Sequence, residues 1–161
     1  MKQSDSSLPT GCTLRQATSQ DMRSLRWLVL SAILDPTQLN WQQFWVMEFQ
    51  GDVIACGQLR NFPQAQELGS LVVIPAWRGR GLATFLTQYL ITQATKPLYL
   101  ECLGKQLAQF YSRFGFVQIE FEHLPKSLQD KFKFSQLAKK ILKVPVIFMQ
   151  YQSELLLSQD A

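Results

Sequence analysis

The stretch LVVIPAWRGRGLATFL, residues 71–86, constrains this chain more than any other. Four consecutive apolar residues, Leu71 to Ile74, fit a strand covered on both faces. Pro75 then breaks the ladder, and Leu82, Phe85, Leu86, Tyr89 and Leu90 recur at helical spacing. A strand therefore becomes a helix across Arg78-Gly79-Arg80-Gly81. A helix N-terminus leaves N–H groups without partners and carries partial positive charge. Glycines there permit positive φ and let an anion approach the main chain. One reading is an anion site, with Arg78 and Arg80 adding charge-assisted bonds or raising the local potential. The other is an ordinary tight turn with surface arginines.

The flanking segments predict a mixed α/β sheet. CTLRQA reads as a strand. TSQDMRSLRWLVLSAIL reads as a helix capped at Thr18 or Ser19, with Asp21 in its first turn and Leu25, Leu28, Val29 and Ala32 on one face. FWVMEFQGDVIACGQLRNF is a hairpin turning at Gln50-Gly51-Asp52. After the loop PQAQ, ELGSLVVIP is the third consecutive strand. LYLECL, FVQIEFE and VPVIFMQYQ complete the strands. KQLAQFYSRFG is a short helix closed by Gly115, and LPKSLQDKFKFSQLAKKILK is basic and amphipathic. Residues 1–11 are expected to be a flexible lead, 12–152 one domain, and 153–161 a tail.

Composition bounds the function loosely. The 161 residues are 47% hydrophobic and 17% charged, with a net charge of +4. That is a globular chain with a modest attraction for anions, whether a cofactor, an acidic partner or a nucleic acid. Cys12, Cys56 and Cys102 are scattered, which gives neither a disulfide framework nor metal spacing and suits a reducing compartment. The polar start MKQSDSSLPTG is not a signal peptide, and no apolar run is long enough to span a bilayer. A cytoplasmic protein without a metal is expected, or one of an organelle lumen if a presequence has been removed. A Walker loop is absent, and Thr84 stands where a dinucleotide fingerprint needs its third glycine.

LVVIPAWRGRGLA, with Arg78, Gly81 and Ala83 at its key places, and AQFYSRFGF, from Ala108 to Phe116, together resemble the GNAT superfamily of N-acetyltransferases. The resemblance covers roughly residues 12 to 151. It implies a single GNAT-like α/β (α+β) domain. Its central sheet is mixed, mostly antiparallel, of six to seven strands flanked by helices, and splayed between strands 4 and 5. It implies acetyl-CoA as donor. Arg78, Gly79, Arg80, Gly81, Leu82, Ala83 and Thr84 would bind the pyrophosphate. Leu71, Val72 and Val73 would pair with the pantetheine as an added strand, the Val73 N–H polarising the thioester carbonyl.

Transfer to an amine needs a neutral nucleophile, a polarised carbonyl and a proton for the departing thiolate. By resemblance Tyr111 is the acid; its alternative is a core tyrosine beside Phe110. Glu67, opening the central strand, and Glu101, on its neighbour, are the candidate bases. For each the alternative is a solvated strand-end carboxylate or a structural ion pair. Alternation puts Glu67 on one face with Gly69, Leu71 and Val73. Many relatives carry a cofactor-contacting Asn where this chain has Gly104; Lys105 or Gln106 stands in for it, or the contact is absent. His123, the single histidine, precedes Leu124-Pro125 and fits a loop role better than catalysis.

The acceptor is an amino acid, a small amine, or a peptide or protein amine. A Pro in the loop before the central strand, Glu67 opening it, and Leu124-Pro125 are similar to the acetyltransferase part of N-acetylglutamate synthase, although these 161 residues leave no room for its kinase-like companion. The opposing reading is a non-catalytic module for acyl-CoA, protein or nucleic acid. Aromatic and basic residues are not interleaved as in single-strand binders, which disfavours nucleic acid. A monomer or homodimer both fit.

Overall fold

Seven strands pair in the order β1-β2-β3-β4-β5-β7-β6 in a computed structural model of the chain. The structure describes residues 7–133 and 143–153. The strands are β1 (Cys12–Gln16), β2 (Phe44–Phe49), β3 (Asp52–Phe62), β4 (Ala65–Val73), β5 (Leu98–Leu103), β6 (Phe116–Ile119) and β7 (Val146–Tyr151). The helices are α1 (Met22–Ser31), α2 (Leu82–Gln93), α3 (Lys105–Ser112) and α4, residues 126–133. The sheet is antiparallel except for β4 and β5, which run parallel. That parallel ladder holds two pairs, Gln66↔Leu98 and Glu67↔Tyr99, as expected of a splayed sheet. Parts of the expected N-terminal lead and tail, and residues 134–142 of the segment read as basic and amphipathic, lie outside the described residues.

The chain divides into two compact units. The first comprises Met1–Arg60 and Leu68–Gln93, the second Asn61–Glu67 and Ala94–Ala161.

In the first unit the helical stripe read from α1 is buried: Leu25, Leu28 and Val29 are at most 1% exposed and pack with Phe44, Val46, Cys56 and Val72. Each such side chain contributes roughly 1.5–3 kcal/mol through water exclusion. Before α1, the Thr18 N–H donates to Asp21 Oδ2 at 2.7 Å, and Arg15 grips the same carboxylate from 2.7 and 2.9 Å. On α2, Leu82, Leu86 and Leu90 are buried. Gly57 on β3 is the residue that lets α2 lie close, since a Cβ there would meet Leu90 Cδ1 at 2.7 Å.

Two expectations change. The strand covered on both faces is β3, buried without interruption from Ile54 to Arg60. β4 instead alternates from Gly69 onward: Ser70 and Val72 are buried, while Gly69, Leu71 and Val73 are half-buried. The predicted loop PQAQ is also shorter, because β3 runs to Phe62 and β4 begins at Ala65.

The second unit centres on Ala65, Tyr99, Leu124, Leu128, Phe132, Val146 and Phe148. The expected strand FVQIEFE stops at Ile119, and Phe121–His123 form a 3-10 turn.

Candidate functional site

In the first unit the glycine turn has the conformation that its sequence requires. Gly79 has φ +75° and Gly81 φ +81°, both left-handed. The Arg78 N–H closes on Pro75 O at 3.3 Å and the Phe85 N–H on Gly81 O at 3.0 Å. Between them, no backbone N–H from residue 79 to 84 has a backbone acceptor among the described residues. Six successive donors therefore lie without a backbone partner at the start of α2, where the helix dipole adds positive potential. A cavity of about 300 Å³ opens there, lined by Val73, Trp77, Arg78, Gly79, Leu82 and Thr84 among others.

The two arginines divide their tasks. Arg78 Nε donates to Val73 O at 3.0 Å and ties the strand end to the turn. The Arg80 guanidinium lies 4.5 Å from the centre of the Trp77 ring. Both side chains are exposed, and their positive charge raises the potential at the turn. Leu82 is buried and anchors the helix, whereas Ala83 and Thr84 are half-buried beside the cavity.

Sequence reasoning missed Ser70. It has φ +49° inside β4, an unusual conformation for a residue other than glycine. Buried polar groups hold it there. Arg60 Nη2 donates to Ser70 Oγ at 2.8 Å, Ser70 Oγ donates to Gln58 Oε1 at 3.3 Å, and Cys56 Sγ donates to Ser70 O at 3.4 Å. This fixed kink sets the direction of Leu71 to Val73. A buried Arg60 with Gln58 in a strand of apolar residues was the available signal.

In the second unit Tyr111 is buried in α3, at 8% exposure, with its ring edge-on to Phe110 at 5.1 Å and Phe116 at 5.8 Å. Burial pushes its phenol well above the ordinary value, and the neighbouring Cys102 adds to that. The hydroxyl therefore keeps its proton throughout the physiological range. Burial, with help from the Glu101 charge, pushes the Cys102 thiol up to about 11. Glu101, Cys102 and Tyr111 thus form one electrostatic neighbourhood, with half-buried Glu101 paired in register to Phe148 of β7.

Glu67 is not a solvated strand-end carboxylate. It is 4% exposed, and its Oε2 accepts from Lys131 Nζ of α4. The same ammonium lies 5.1 Å from the Phe132 ring centre and 6.0 Å from that of Phe62. Tyr99 is the register neighbour of Glu67, and Glu101 follows two residues later on the same face of β5. Gln106 is exposed in the first turn of α3, after Gly104 at φ +87°. His123 is exposed in the turn after β6. Among the described residues no group of His, Cys, Asp and Glu is arranged to hold a metal, and no helix is long and apolar enough to cross a membrane.

This fold, with its strand-to-helix turn after β4, is that of a GNAT-like α/β domain. Residues 40–118 match the family model described as "Acetyltransferase (GNAT) domain". The chain therefore carries a GNAT acetyltransferase domain over residues 40–118. It is 26% identical over 143 residues to an amino-acid acetyltransferase of Haemophilus ducreyi, a match over 80% of this chain and 32% of that protein. The N-acetylglutamate synthase of Neisseria gonorrhoeae, solved with coenzyme A and N-acetyl-glutamate, superposes with a TM-score of 0.71 at 16% identity, over 89% of this chain and 35% of that one. A Mycobacterium tuberculosis protein solved in complex with CoA gives a TM-score of 0.68 at 21% identity, over 88% of this chain and 99% of that one. The chain thus spans about a third of the length of the first two.

Proposed function

We propose that this protein moves an acetyl group from acetyl-CoA to the primary amine of an amino acid or similarly small acceptor. The observation that carries the reading is the run of backbone donors from 79 to 84 at the start of α2, a shape and charge suited to a diphosphate. Leu71 to Val73 pair with the pantetheine, and Gln106, at the opening of α3, contacts the cofactor. The named activity of the Haemophilus relative and the ligands of the Neisseria structure support an amino-acid acceptor.

In the proposed reaction the neutral amine attacks the thioester carbonyl carbon, whose oxygen the Val73 N–H polarises. A new C–N bond forms, and the tetrahedral intermediate collapses with cleavage of the C–S bond. The ammonium proton passes to a carboxylate, Glu67 or Glu101, directly or through water. Tyr111 supplies the proton that the thiolate needs. Burial keeps that phenol in its protonated form before the transfer.

A thiol-release assay with acetyl-CoA against a panel of amino acids, polyamines and peptides tests the reading. CoA release is expected with one or more α-amino acids. Tight CoA binding with no release on any amine would leave a non-catalytic binding module instead.

A further inference from the structure

The C-terminus of α1 carries an anomaly that the proposed reaction does not use. The Leu34 N–H donates to Val29 O and the Ile33 N–H to Leu30 O, both at 3.0 Å. These bonds close a Schellman motif, whose left-handed position is held by Ile33 at φ +55°. Glycine takes that conformation without strain, and a β-branched residue there is an outlier. Ile33 gains nothing from burial in return, since it is 91% exposed. The motif itself is well made, because Leu34 packs onto the cluster that contains Val29.

Ile33 is not alone. Trp27 is 62% exposed and Leu30 58% exposed. Trp27 and Leu30 lie three apart on α1 and share a face, and exposed Ile33 follows in the turn just past the helix end, so the three make one outward apolar ridge. Beside it lies a groove of about 590 Å³ lined by Ser24, Trp27, Val53 and Ile74 among others. Arg23 and Arg26 sit in the N-terminal half of the same helix, where they oppose its own dipole. Asp35 stands just beyond its C-terminal end.

We propose that this ridge is the contact surface for a second copy of the chain, with the two α1 helices crossing antiparallel about a two-fold axis at Leu30. A two-fold interface must be self-complementary, and this one is. With Leu30 on the axis, Ile33 meets the partner's Trp27 and its adjoining groove, and the reverse contact follows by symmetry. The arginines of each helix then face the negative C-terminal end and the Asp35 of the partner subunit. Trp and Arg are also the residue types that dominate binding energy at interfaces. One short helix buries less than the roughly 800 Å² per partner of a standard interface, so the dimer is weak and concentration-dependent.

Sedimentation equilibrium across a concentration series tests this. The wild-type mass is expected to rise from one chain towards two. Leu30→Arg places two like charges on the axis at a position already exposed, and it is expected to weaken association at least about tenfold while leaving the melting curve intact. Ile33→Gly is expected to weaken association yet raise the melting temperature measured on dilute protein, a combination that a purely structural role would not produce. A wild-type protein that stays at one chain throughout, or a dimer indifferent to Leu30→Arg, overturns the proposal. So does flotation of single-chain protein with phosphatidylserine vesicles, which would assign the ridge to a lipid surface.

Discussion

Replacing Gly79 and Gly81 by alanine separates backbone conformation from everything else at the turn proposed to hold the diphosphate. A Cβ at either position meets nothing within 4 Å, so crowding costs nothing. The remaining cost is that of a side chain at φ +75° or +81°, about 1–2 kcal/mol at each site. Two outcomes follow from that strain. If the turn keeps its shape, the protein loses about 2–4 kcal/mol of stability in the double variant, which lowers the melting temperature by several degrees. If the turn relaxes to negative φ, stability recovers but the donors of residues 79 to 84 lose their arrangement. The same 1–2 kcal/mol per site then appears as about a five- to thirtyfold weaker Kd for CoA at each site, or about thirty- to 900-fold in the double variant. Calorimetric titration with CoA and thermal melts on the same samples read both quantities. Their sum should approach the strain of two left-handed alanines. Wild-type affinity together with a wild-type melt would refute the reasoning, because the turn would not then depend on its glycines.

Three further outcomes are expected. Tyr111→Phe should lower kcat by roughly 10²–10⁴ with CoA affinity unchanged, because only the hydroxyl is lost; a Kd that rises in parallel would make Tyr111 a packing residue. With an alkylating reagent near pH 8, Cys12 should react first in the native protein. Burial pushes the Cys56 thiol up to about 12 and that of Cys102 up to about 11, so both should be protected until denaturant is added. Arg15→Met should move acid unfolding to higher pH. The hydrogen bond from Arg15 is the largest cause holding the Asp21 carboxyl down to about 2, so its stabilisation is full above about pH 4 and is lost as pH falls towards 2. Circular dichroism against pH reads the midpoint, which should stay put if the Arg15–Asp21 pair is idle.

Local rules carried much of the fold. The α1 stripe, the hairpin at residues 50–52 and the βα turn with its two left-handed glycines each depend on neighbours in sequence, and each was legible there. The sequence determined the positive φ at residues 79 and 81, because RGRG before a helical run leaves few other turns. It placed the LVV strand at the centre of the sheet, where β4 lies, but gave it cover on both faces. A continuous apolar run such as LVVI looks the same whether a helix covers both faces or one face stays half open, and burial along β4 belongs to the second case.

The rest depended on residues far apart in the chain. The Lys131 partner of Glu67 comes from 64 positions away, so no local pattern distinguishes a buried ion pair from a solvated carboxylate. The Ser70 kink rests on Gln58 and Arg60 of another strand. The raised pKa of the Tyr111 phenol comes from the packing around it, which no local pattern shows. Sequence fixes backbone conformation wherever short-range sterics and unpaired helix-end donors decide it. Tertiary structure alone decides which charges leave water and which partners they meet there, since desolvation and pairing are properties of the assembled surroundings and not of the residue.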